Sequence, residues 1–321
     1  MTQSATPPTD LDRLPKAELH VHLEGAVRPA TLEEFAAREG ISVPRSFHNL
    51  NTFIEMYGLA WRTMVRPGDY ARIVREYCED ALRGGVRYAE LQLATTFRPF
   101  DCLAEAAEEA DRWSDITVRF IADAPRGLPI EISWRMLEAA KDVPHVVALG
   151  LGGQEDAFPP ELFVELFAEA RRRGLRSVPH AGEDAGPRSV RGAIDSLHAD
   201  RIMHGVRSVE DPALLAELAQ RRIPLDVCPT SNRLLGITPS LDDHPLRALW
   251  DAGVIVTINT DDPGLFGCTI LDEYRIAGRI LDADRETYAH LARNSVDASF
   301  APLPLKQQLL TAIEAWAPQG A

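Results

Sequence analysis

Lysine is nearly missing from this 321-residue chain: Lys16, Lys141 and Lys306 are the only three, and the other basic residues are arginines. With 34 Lys+Arg against 48 Asp+Glu the formal net charge is −14, and no basic run follows an apolar stretch. Nucleic-acid and anionic-membrane affinity both rest on clustered cations, so neither partner is expected. Cysteine is sparse as well. Cys78, Cys102, Cys228 and Cys268 lie far apart with no C-x-x-C, which disfavours a disulfide scaffold and a thiolate zinc site and reads as buried or free thiols. No uninterrupted apolar run approaches the roughly 18 residues of a membrane helix, and the opening MTQSATPPTD has neither a basic nor an apolar targeting region. No G-x-G-x-x-G follows an early strand, so the dinucleotide fingerprint is missing. A soluble, cytoplasmic protein of a reducing compartment is expected.

What is present is a globular composition, 45% apolar and 26% charged. Residues 1–10 are polar and proline-bearing and read as a loose tail, leaving 11–321 as one domain. Short apolar runs predict strands at Glu18 to Leu23, Val86 to Leu93, Ile116 to Ala122, Val146 to Leu151, Arg176 to His180, Arg201 to His204, Leu225 to Cys228 and Val254 to Thr260. Helical stretches separate them. In residues 159–173, Pro159 and Pro160 open the helix, Leu162, Phe163, Leu166, Phe167 and Ala170 form a stripe, and Gly174 ends it. Asp211 and Pro212 open another. Eight strand and helix units imply parallel pairing and a closed (β/α)8 TIM barrel, ahead of a doubly wound open sheet. Residues 24–85 exceed any ordinary strand-to-helix loop, and Phe53, Tyr57, Trp61 and Met64 recur there at helical spacing. Extra core packing and a helical lid over the barrel mouth are both compatible with that insertion.

The chemistry gathers at strand ends. His20 and His22 are i and i+2 in the first strand, so both imidazoles point to one side. The fifth strand ends at His180 with Glu183 three residues on, the sixth at His204, the eighth at Asp261 and Asp262. In a barrel all such ends share one face. Four of nine histidines therefore meet there, and three imidazoles with one carboxylate suit a mononuclear zinc site with a position open for water. No lysine lies near the fourth strand end to bridge a second metal. Glu183 is placed as general acid/base, and His204, if not a ligand, can orient or deprotonate the water. Gly152-Gly153 permits close approach of backbone to a ligand.

These residues also carry a resemblance. PKAELHVHLEGAVRP (Pro15 to Pro29), HAGED (His180 to Asp184), MHGVRSVED (Met203 to Asp211), VCPTSN (Val227 to Asn232) and NTDDP (Asn259 to Pro263) resemble the adenosine deaminase family of the amidohydrolase superfamily, collinear from about residue 14 to 275. The resemblance implies a (β/α)8 barrel holding one Zn²⁺ per chain on His20, His22, His180 and Asp261. It implies that Glu183 protonates purine N1, His204 steers the attacking hydroxide, Asp262 hydrogen-bonds N7 and the Gly153 N–H contacts N3. The implied partner is a small purine nucleoside losing its 6-amino group as ammonia; a homo-oligomer is compatible with the sequence. Zinc deaminases built on H-x-E and P-C-x-x-C are not matched, since Cys228-Pro229 runs in the opposite order. Family members commonly read HLDG, with the Asp on the ribose, where this chain has Glu24, as in HLEG-type members acting on free adenine or aminodeoxyfutalosine. CPTSN and the segment FHNLNTFIEMYGLAW look more like nucleoside-type members. An aminodeoxyfutalosine substrate would bring a carboxylate, for which Arg62, Arg66 or Arg98 is the expected clamp.

Overall fold

The computed structural model describes residues 7–94 and 101–318. Eight parallel strands follow one another around a barrel in sequence order: β1 (Lys16–His22), β2 (Val86–Leu93), β3 (Thr117–Pro125), β4 (Val146–Gly152), β5 (Arg176–Ala181), β6 (Ile202–His204), β7 (Leu225–Val227) and β8 (Val256–Ile258). Every strand lies where an apolar run predicts one, because strands covered by helices outside and side chains inside are buried on both faces and so carry mostly apolar residues. The eighth is shorter than Val254 to Thr260. Its seam with β1 is stitched differently: the Asn259 side-chain carbonyl accepts from Leu19 N–H at 2.8 Å, in place of a backbone carbonyl. Beyond it, His22 N–H donates to the Asp261 carbonyl (2.7 Å) and Asp261 N–H to the His20 carbonyl (3.0 Å), around an isolated bridge pairing Val21 with Asp261.

Residues 1–6 of the expected tail lie outside the described residues. Asp10 is held: its carboxylate accepts two hydrogen bonds from Arg285 (2.9 and 2.7 Å), and its carbonyl accepts from Trp316 Nε1. The segment expected as one helix over 159–173 begins as a 3-10 turn, Pro160–Phe163, and continues as an α-helix, Val164–Arg172. Three residues per turn instead of 3.6 shift the phase. Leu162, expected on the inward stripe, is therefore 62% exposed, while Phe163, Leu166, Phe167 and Ala170 are buried. Asp211 caps helix Pro212–Arg221 as its sequence predicts. The insertion folds into α1 (Pro29–Glu39), α2 (Leu50–Arg62) and α3 (Asp69–Arg83). All four cysteines are buried, and among the described residues no helix is long and apolar enough to cross a membrane.

Inside the barrel, below the site, Arg201 is fully buried between two buried carboxylates, donating to Asp226 Oδ2 at 2.5 Å and Glu90 Oε2 at 2.6 Å. Tyr88 Oη–H and Phe300 N–H also donate to Glu90, and Thr257 Oγ1–H donates to Asp226. Removing one partner of such a network leaves an uncompensated buried charge. Arg201→Met is expected to destabilise the fold by about 3–5 kcal/mol in urea unfolding. Adding Glu90→Gln and Asp226→Asn should recover most of that loss; a single variant within about 1 kcal/mol of wild type would contradict the assignment.

Candidate active site

The barrel seam builds the site. Because β1 pairs with the segment after β8, Asp261 is carried directly onto His20 and His22. Asp261 Oδ1 lies 3.2 Å from His20 Nε2 and 3.4 Å from His22 Nε2, and His22 Nε2 lies 3.3 Å from His180 Nε2. One ligand atom from each of His20, His22, His180 and Asp261 falls within 4.8 Å of the others. The pairing of Ala181 with His204 sets β6 beside β5, so His204 joins the same rim.

Two of these residues sit in left-handed backbone although they are not glycine, His204 at φ 63° and Asp261 at φ 65°. Such conformations cost of order 1–3 kcal/mol and persist where the surroundings enforce them, typically at functional sites. Here each turns a side chain inward at the end of its strand. Next to Asp261, Asp262 is buried with Oδ1 lacking a partner among the described residues. Gly25 makes its room: a Cβ there would lie 1.7 Å from that oxygen, so the glycine of the HLEG segment is required sterically.

The four-group cluster fits a divalent cation. The Leu151 carbonyl faces His180 Nδ1 at 3.1 Å, which places that ring's hydrogen on Nδ1 and leaves the Nε2 lone pair facing His22. His20 Nε2 is buried without a well-directed hydrogen bond. Converging buried lone pairs plus one carboxylate are a costly arrangement without a cation and the nitrogen and oxygen donor set that zinc takes.

Glu183 Oε1 is 3.5 Å from His204 Nε2, which is 3.7 Å from Asp261 Oδ2. Burial, with the Asp261 carboxylate next, pushes the Glu183 carboxyl well above its usual range. Burial pushes His204 down to about 3, so the ring is neutral near pH 7. The backbone under Glu183 is held by Glu155, a buried carboxylate accepting from Gly182 N–H (2.7 Å), Glu183 N–H (2.8 Å), Asp184 N–H (3.2 Å) and Ser189 Oγ–H. Arg126 ties the neighbouring strand ends together, donating to the carbonyls of Leu151, Phe158 and His180. Sequence reading passed over both residues, although Glu155 stands in the GLGGQE stretch directly after β4.

A cavity of about 380 Å³ opens over the cluster, lined by His22, His180, Glu183, His204, Asp261, Asp262 and Gly153. Helix α2 forms one wall with Leu50, Phe53, Tyr57 and Trp61. Phe53 and Met56 also pack with Leu235, so α2 serves packing and cavity together; Met64 lies beyond the helix end and is buried. Glu24 is not among the lining residues. It is buried, accepting from Tyr57 Oη–H, Tyr70 Oη–H and Ala94 N–H, each at 3.2 Å. Glu24, expected at the substrate, thus stands directly behind the cavity wall, where Tyr57 and Ala94, two of its partners, line the cavity. A further carboxylate lining the cavity, beside Glu183, Asp261 and Asp262, is Asp123, absent from the sequence-based candidates. Its Oδ1 has no partner among the described residues and burial raises its pKa to about 7. Gly150 and Gly152 exist to seat it, since a Cβ on either would fall 2.5 or 2.8 Å from its oxygens. Gly153 keeps the positive φ (102°) that glycine tolerates. Of the expected arginine clamps, Arg62 and Arg66 do not line the cavity, Arg66 is paired with Glu39, and Arg98 lies outside the described residues.

The adenosine deaminase family model matches residues 15–316. The chain belongs to the adenosine deaminase family. As a member it is a hydrolytic deaminase, an enzyme acting on C–N bonds. It is 38% identical to the aminodeoxyfutalosine deaminase of Streptomyces avermitilis over 330 aligned positions, covering 94% of this chain and 91% of that protein. Among solved structures it resembles the adenine deaminase of Arthrobacter aurescens, with a TM-score of 0.89, 30% identity and coverage of 94% of this chain and 98% of that one. An amidohydrolase of Burkholderia ambifaria, solved with bound Zn, superimposes with a TM-score of 0.87 at 27% identity over 99% of this chain and 94% of that one. In this deaminase, then, the rim of imidazoles and carboxylates is the place to seek the chemistry.

Proposed function

We propose that this enzyme is a zinc-dependent purine-nucleoside deaminase, converting the 6-amino group to 6-oxo and releasing ammonia, with one Zn²⁺ per chain. The supporting observation is that His20, His22, His180 and Asp261 converge within 4.8 Å beneath a cavity that Glu183, His204 and Asp262 also line. Zinc held by those four would supply a water acidic enough to attack near neutral pH. Glu183 donates a proton to purine N1, which makes C6 electrophilic. His204 holds the attacking oxygen. N7 carries a lone pair, so Asp262 meets it as the carboxylic acid, and Gly153 N–H meets N3. The water oxygen stays on C6; one of its protons replaces the one Glu183 gave to N1, and the other leaves with the amino nitrogen as ammonia.

The alternatives rest on relatives: aminodeoxyfutalosine, on the Streptomyces enzyme, and free adenine, on the Arthrobacter structure. The cavity favours a purine carrying a substituent. Its about 380 Å³ falls among sites for drug-sized ligands, about 300–1,000 Å³, and Asp123 presents a buried acceptor to any hydroxyl on that substituent. A side-by-side measurement of ammonia release from adenosine, aminodeoxyfutalosine and adenine tests this. Adenosine should exceed adenine in kcat/KM. Adenine as the best substrate would overturn the nucleoside reading, and aminodeoxyfutalosine well ahead of adenosine would establish the first alternative. Asp123→Ala is expected to lower kcat/KM for a nucleoside by about 10–100-fold, the range for losing a hydrogen bond to a charged group. Adenine turnover should change far less; an equal loss on both would remove Asp123 from substrate recognition.

A further inference from the structure

We infer that Asn232 and His244 fix which nitrogen of His204 carries its proton, so that Nε2 faces the reacting groups as an N–H donor and not as a base. One group in this row of hydrogen bonds has no choice of role. The backbone N–H of Leu246 donates to His244 Nδ1 at 3.1 Å, so that nitrogen accepts and neutral His244 carries its hydrogen on Nε2. Nε2 lies 3.1 Å from Asn232 Oδ1, the atom a ring N–H requires. The Asn232 amide nitrogen is thereby turned to His204 Nδ1, 3.2 Å away. An amide nitrogen only donates, so Nδ1 accepts, and the hydrogen of neutral His204 sits on Nε2.

Each escape from this pattern meets another donor. A doubly protonated His204 would set Nδ1–H against the amide N–H. Reversing the amide would set its nitrogen against the Nε2–H of His244. Moving the His244 hydrogen to Nδ1 would set it against the Leu246 N–H. All three side chains are at most 4% exposed, so a broken link leaves a buried polar group unsatisfied. The link is also held from outside: Asn232 lies in the short helix Pro229–Leu234 after β7, where its backbone N–H donates to the Cys228 carbonyl and its carbonyl accepts from Thr238 N–H, both at 3.0 Å.

Resting on the deaminase reading, the consequence is that His204 serves by donating a hydrogen bond to the attacking oxygen, whereas the sequence left orienting and deprotonating equally open. Asn232 and His244 are positioning residues. A wrong histidine tautomer can disable a site whose geometry is otherwise intact.

The direct test is side-chain nitrogen NMR of the full-length protein with ¹⁵N-labelled histidine, using His244→Gln and Asn232→Asp to assign the signals. His204 and His244 should both carry hydrogen on Nε2 and none on Nδ1; a hydrogen on Nδ1 of either ring overturns the inference. This measurement requires no turnover, so its failure is distinct from failure of the deaminase reading. Kinetics supply a second arm. His244→Leu frees the amide to turn and should lower kcat about tenfold or more with KM unchanged. His244→Gln, which keeps an N–H on Asn232 Oδ1, should recover most of the rate. Equal losses in the two variants, or none in His244→Leu, would overturn the positioning role.

Discussion

Removing divalent metal with a chelator is expected to abolish ammonia release and to lower the unfolding midpoint, and one equivalent of zinc per chain should restore both. The activity loss follows from the nucleophile: without a cation, nothing among the described residues brings a water near neutral pKa. The stability loss follows from linkage, since a ligand bound only by the folded state stabilises by about 4 kcal/mol at a thousand times its dissociation constant. His20, His22, His180 and Asp261 come from three segments distant in the chain, so the unfolded state has no such site. Metal analysis of the purified chain is the accompanying control. A metal-free preparation that still releases ammonia, indifferent to chelator, would contradict the assignment outright.

Glu183→Gln is expected to lower kcat about a thousandfold with the metal content unchanged, within the about 10²–10⁴ that a positioned acid supplies. Glutamine keeps the size and the buried position but cannot deliver a proton to N1. The segment carrying it does not depend on that side chain. Glu155 holds the backbone N–H groups of residues 182–184, and His180 is held through its own carbonyl by Arg126. A loss in this variant therefore reports proton transfer and not displacement of the loop. A variant within tenfold of wild type would show that the acid is another group.

The barrel was legible because its signals are local. Apolar runs of β-branched residues recur between capped helices, and strand alternation places His20 and His22 on one side whatever surrounds them. Leu162 marks the limit of that reasoning: periodicity assigned it inward, but a 3-10 turn ahead of the helix rotated it to solvent. The histidines and Asp261 could be gathered on paper because all strand ends of a barrel share one face. The partners of buried polar groups could not.

From its own letters the chain determined that eight strands would form, that four imidazoles and paired aspartates would sit at their ends, and that glycines would flank the fourth strand end. Tertiary structure alone decided what each buried polar atom meets. It turned Glu24 onto Tyr57 and Tyr70, left Asp123 facing the cavity, set Glu155 beneath residues 182–184 and set Asn232 between two histidines. The reason is that a hydrogen bond depends on tenths of an ångström and on the direction of a donor from another part of the chain, whereas apolar burial needs only the right face.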